Sequence, residues 1–149
     1  MYIPPPRASK FFVNEDEMGV NAPVIHQRII AKLTIGLGNL YHGNHSIPLE
    51  PLPEMMLDFT YSSPTPDVIL FDNEADQTRI IIEICHTSGL KHDLAKTIRL
   101  IDEDDYGVLE GFVYNYKTDQ WFRYRKGDGG LTEPSSFSEI LQLDLNSFL

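Results

Sequence analysis

The chain has 149 residues, enough for one domain and too few for two ordinary ones. Hydrophobic residues make up 42% and charged residues 23%, a globular balance that excludes disorder throughout, and the one cysteine excludes a scaffold held by internal disulfides. The 12 Lys and Arg against 22 Asp and Glu give a formal net charge of -10, a field that repels polyanions unless a local basic groove or divalent cations intervene.

Residues 1–20, with Pro4-Pro5-Pro6 and the polar run Asn14-Glu15-Asp16-Glu17, read as an extended N-terminal arm with a short strand at Lys10 to Val13. The domain proper is expected over 21–149. Asn21 before Ala22-Pro23 is a candidate N-cap with proline in the first turn. Ile25, Ile29, Leu33, Leu37 and Leu40 then recur at helical spacing, which predicts a helix over 22–41 ended by Gly43-Asn44. Gly36 and Gly38 either weaken its last turns or admit a close packing contact.

From residue 46 the period changes to two. Ile47 to Leu49 and Met55 to Phe59 read as short strands or an irregular extended stretch, kept at a sheet edge by Pro51 and Pro53. After a loop at 61–66 come a strand at Asp67 to Phe71, a turn at 72–76 and a strand at Arg79 to Cys85. Gly89 to about Ile101 predicts a second helix, and 107–116 with 120–126 a hairpin around Lys117-Thr118-Asp119. A glycine-rich turn at 127–130 leads to Leu141 to Leu145 and the terminal Phe148-Leu149. The order implies an α/β domain with one mixed central sheet flanked by helices. No apolar run approaches a membrane span and the N-terminus carries no apolar export signal, so the cytoplasm is the expected compartment.

The chemistry concentrates in two strands. Asp67 stands at the mouth of one, and Glu83 lies inside the next, among isoleucines. Alternation places Ile81, Glu83 and Cys85 on one face and Ile80, Ile82 and Ile84 on the other. A carboxylate in such company needs a cation, a metal or solvent to offset its burial. Two carboxylates from adjacent strands form a hard oxygen site suited to Mg²⁺ or Mn²⁺, ions that keep several waters and bind phosphate. The competing reading is a Glu83 that faces solvent and an Asp67 that caps a turn.

Pro66-Asp67, a short hairpin and Glu83 resemble the PD-(D/E)XK nuclease pattern, with Cys85 where its lysine stands. More closely, Pro66 to Tyr124 resembles the Uma family of bacterial restriction endonuclease candidates: Glu83, Thr87, Asp93 ten residues after Glu83, and the run Gly107-Val108-Leu109-Glu110-Gly111-Phe112. His26-Gln27 in the first helix and the tail Ser138 to Phe148 extend the resemblance over residues 22–149, although the family's N-terminal strand motif is not recognisable in residues 1–20. It implies a restriction-endonuclease-like domain, a DNA phosphodiester substrate, a homodimer, and Mg²⁺ or Mn²⁺ held by Asp67, Glu83 and the carbonyl of Ile84. The family often moves the missing lysine to the following helix, four residues after the aspartate. That position is Thr97 here; Lys96 lies one residue earlier, about 100° round the helix. Lys96 is the expected charge-stabilising catalytic residue, with Arg99 as a fixed-charge substitute that cannot act as a base.

Other groupings point to structure. Cys85 and His86 fall on opposite strand faces, which disfavours a nucleophile dyad. A transition-metal set of His86, His92, Asp93 and Glu83 is a lesser alternative. Asp93 and Lys96 read as a surface helical pair, and His26 as a packing or hydrogen-bonding residue. Gly127 to Gly130 lacks the strand and helix of a phosphate loop. Trp121, Arg123 and Arg125 share one face of the hairpin, open to either a polyanion contact or ordinary edge packing. Two functions follow: a metal-dependent endodeoxyribonuclease, or a catalytically inactive nuclease-fold protein that serves as a binding or assembly module.

Overall fold

The computed structural model describes residues 23–60 and 63–149. The expected arm, its strand at Lys10 to Val13 and the Asn21 cap lie outside the described residues. Helix α1 spans Val24–Gly38 and continues as a wider π-type turn over Asn39–Gly43. Pro23 is the residue before the first turn rather than inside it: its φ of -63° and ψ of 157° are extended, and its carbonyl accepts the first helical bond from the Gln27 amide at 3.2 Å. Gly36 lies against the Phe148 ring, so of its two readings the close packing contact holds.

The five-stranded sheet runs β1 (Glu50–Pro53), β2 (Val68–Asp72), β3 (Gln77–Cys85), β4 (Glu110–Asn115) and β5 (Gln120–Arg125), in spatial as well as chain order. Every pairing is antiparallel except β3 with β4, which are parallel and joined by helix α2 (Thr87–Asp102). Parallel neighbours need such a crossover, which accounts for α2 standing between them. Of the two readings for 47–49 and 55–59, the irregular one holds, and the edge strand β1 forms between them. Pro51 and Pro53, two residues apart, place their missing donors on the same side of the strand, which is the free edge.

Strand alternation divides the core. Val68, Leu70, Ile80, Ile82, Ile84, Phe112 and Tyr114 face α1, whose Ile29, Ile30, Leu33 and Leu37 are buried against them. Ile69, Ile81 and Tyr124 face the other way and meet Leu100 and Ile101 of α2. Helix α2 approaches closely because Gly111 carries no side chain; a Cβ there would run into Thr97 Cγ2 and Ile101 Cδ1. A two-stranded ribbon, β6 (Phe137–Ser138) with β7 (Leu143–Asp144), and a 3₁₀ turn over Leu145–Phe148 close the α1 side. Among the described residues, no helix is long and apolar enough to cross a membrane.

The basic hairpin is a structural seam rather than an open cationic face. Trp121 packs into the α1-side core, Arg123 pairs with Glu133 at 3.4 Å, and Arg125 is bound to Asp128, Glu133 and Glu139. These acids come from the chain after the hairpin, out of reach of a reading based on alternation alone.

Candidate metal and phosphodiester site

Asp67 and Glu83 meet because of register. Val68 pairs with Ile82, so the residues one step outward, Asp67 and Glu83, face each other across the β2–β3 ladder. The Asp67 amide donates to Glu83 Oε1 at 3.1 Å, and the Ile84 amide donates to Asp67 Oδ2 at 2.7 Å. These bonds fix both carboxylates relative to the backbone. Glu83 shares the face of Ile81, and α2 passes over that face. From α2, Lys96 donates to Glu83 Oε2 at 2.5 Å. Asp67, Glu83, Ile84 and Lys96 are thus brought together in one place.

Glu83 is buried at 4% exposure, which rules out the solvent-facing alternative. Burial, aided by the charges of Asp67 and Asp93, outweighs the Lys96 ammonium and pushes the Glu83 carboxyl up to about 7. Burial by itself would lower the Lys96 ammonium, but Glu83, Asp93 and Asp67 overcome it and hold that pKa above its ordinary value. The carboxyl is therefore only partly resigned to ionisation, and the ammonium beside it is firmly charged.

Thr97, the position where the family places its lysine, is buried under Gly111 with its hydroxyl unpaired among the described residues. Lys96 reaches the site from one position earlier. Arg99 is exposed and turns to Asp104 at 4.0 Å, so it does not substitute for Lys96. Cys85 is a buried thiol, pushed up to about 12 by burial and by the charges of Asp93, Glu83 and Asp67. His86 contacts Ser88 at 3.0 Å, and no group of three or more His, Cys, Asp or Glu among the described residues is arranged to hold a metal. That removes the His86, His92, Asp93 and Glu83 alternative.

Two residues join the site that spacing had placed elsewhere. His26, at the start of α1, brings Nε2 to 3.3 Å from Asp67 Oδ2. Burial tends to discharge its ring, yet the Asp67 carboxylate and the Ile84 backbone prevail and raise its pKa. Asp93, half-buried one turn before Lys96, is raised by burial first and then by the Asp67 charge, against the pull of Lys96, His92 and His26. The sequence read Asp93 and Lys96 as a surface pair; Lys96 instead bonds Glu83, and Asp93 feels the charges of Lys96 and Asp67 without a direct bond to either.

The donor set fits a hard divalent cation. Asp67, Glu83 and the Ile84 carbonyl offer oxygen only, and Mg²⁺ commonly binds through one or two carboxylates while retaining waters. Asp67 Oδ2 already accepts from Ile84, whereas Oδ1 has no hydrogen bond among the described residues, on a side chain that keeps 20% exposure.

No family model matches the chain, and no curated protein matches it. Among solved structures it is similar to "a putative nuclease belonging to DUF820" from Anabaena variabilis ATCC 29413, with a TM-score of 0.63 and 14% identity, covering 88% of this chain and 84% of that one. At that identity the likeness shows the fold. With its five-stranded mixed sheet and a helix on each face, the chain has a restriction-endonuclease-like fold.

Proposed function

We propose that the protein is a metal-dependent endonuclease that hydrolyses DNA phosphodiester bonds, as the Uma resemblance implies. The observation that carries this reading is the convergence of Asp67, Glu83 and Lys96 at one end of the β2–β3 ladder. The neighbour of like fold, itself described in nuclease terms, supports it. Asp67, Glu83 and the Ile84 carbonyl would hold Mg²⁺ or Mn²⁺, and the ion when bound supplies Lewis-acid polarisation of the scissile phosphoryl group. Lys96 contributes a fixed positive charge, against which negative charge on the attacked phosphate is stabilised. The reciprocal amide bonds of Asp67 and Ile84 keep the carboxylates oriented, so no reorganisation is needed when substrate arrives. The reading includes a homodimer, which sedimentation would register as a doubled mass.

A second reading, a catalytically inactive binding or assembly module, is favoured by the formal charge of -10 and by Glu83, whose two oxygens both accept from protein donors. One experiment separates them. Supercoiled DNA is incubated with wild type and Glu83→Gln in Mg²⁺ or Mn²⁺, with circular dichroism confirming the fold of each. Ion-dependent nicking by wild type alone supports the nuclease; nicking that persists in Glu83→Gln refutes the site. No nicking by wild type in either ion moves the reading to the module.

A further inference from the structure

We infer that His26 is a positioning residue for Asp67, holding one carboxylate oxygen so that the other points to the cation; this rests on the metal site proposed above. Helix α1 lies on the opposite sheet face from α2, yet its first turn overhangs the end of β2. There His26 Nε2 meets Asp67 Oδ2, the same oxygen that accepts from the Ile84 amide. Because it faces a carboxylate, Nε2 is the nitrogen that carries a proton. The Ile84 hydrogen bond and the His26 charge contact both fall on Oδ2, which restricts rotation of the carboxylate and leaves Oδ1 as the oxygen without a hydrogen bond among the described residues.

Packing does not explain the imidazole. Its side chain is only 18% exposed, and its Nδ1 is buried without a partner among the described residues. A polar ring with an orphaned nitrogen is less stable there than an apolar side chain of similar size. What the ring contributes instead is its contact with Asp67, beside the Ile84 backbone. Hydrogen bonds to metal-ligating side chains typically govern affinity by 10–100-fold, through orientation rather than through added ligands.

The test is calorimetric titration of Mn²⁺ into wild type, His26→Leu, His26→Gln and the Asp67→Ala/Glu83→Ala double variant. Wild type should bind saturably and the double variant should not. His26→Leu should bind about 10–100-fold more weakly while its thermal stability without metal is kept or raised. His26→Gln, whose amide N–H reaches the place of Nε2, should recover most of the affinity. Unchanged or tighter binding by His26→Leu overturns the inference and leaves the metal site standing; so does His26→Gln binding no better than His26→Leu. If wild type binds no Mn²⁺, or the double variant binds as well as wild type, the metal site itself fails and the role of His26 with it.

Discussion

Removing the Lys96 ammonium should destabilise the protein most where Glu83 is ionised. The Glu83 side chain is 5% exposed and that of Lys96 22%, so solvent screens the pair weakly. Below the ordinary Glu value of 4.5 the carboxyl is protonated whether the chain is folded or not, and it contributes nothing. Above it the unfolded chain ionises while the native site resists, so Glu83 reduces stability increasingly with pH. In wild type that loss levels off near pH 7, where the native carboxyl ionises beside Lys96. In Lys96→Met the carboxyl lacks its cation and titrates higher, so the loss continues. Each pH unit is worth about 1.4 kcal/mol per proton, which gives the variant about 3 kcal/mol of extra destabilisation by pH 9. That agrees with the 3–5 kcal/mol typical of a buried pair broken on one side. Urea unfolding at pH 6 and pH 9, read by fluorescence of the buried Trp121, measures the difference directly. A small gap at pH 6 and a wide one at pH 9 are expected. A gap of the same size at both values would mean that Glu83 and Lys96 do not form the ion pair described.

Further outcomes follow from neighbouring residues. Cys85, with its thiol pushed up to about 12 by burial, should resist iodoacetamide at pH 8 in the native protein and react fully in urea, as mass spectrometry would show. Gly111→Ala should lower stability by about 1–3 kcal/mol, because the new methyl group meets Thr97 and Ile101 beneath a packed helix. Gly36→Ala should cost less in the same denaturant assay, since it meets the ring of one partly buried side chain, Phe148, rather than a helix packed on the sheet. Leu37→Ala, which empties a fully buried position between α1 and the sheet, should cost about 2–5 kcal/mol.

Local patterns determined much of this molecule. The Ile29-to-Leu37 spacing specifies α1, and the alternation of Ile80 to Cys85 specifies β3 and even which face Glu83 occupies, because periodicity is a property of the backbone itself. Asp67 and Glu83 were legible as carboxylates on adjacent strands, but a bulge between Leu70 and Phe71 shifts the β2–β3 register by one residue, and that shift sets them opposite each other. Other features required the tertiary structure. Sequence places Thr97 where the family's lysine stands, but only the closeness of α2 to Gly111 turns Thr97 into a packing residue and directs Lys96 to Glu83. His26 is separated from Asp67 by forty residues of chain and comes from the helix on the other sheet face from α2, so no spacing rule could join them. The cations of the hairpin looked available because Glu133 and Glu139, which bind them, arrive from a later segment. Short-range steric rules fix an element and its faces, whereas charge pairing acts through space, and only the folded chain decides which charges come within reach of one another.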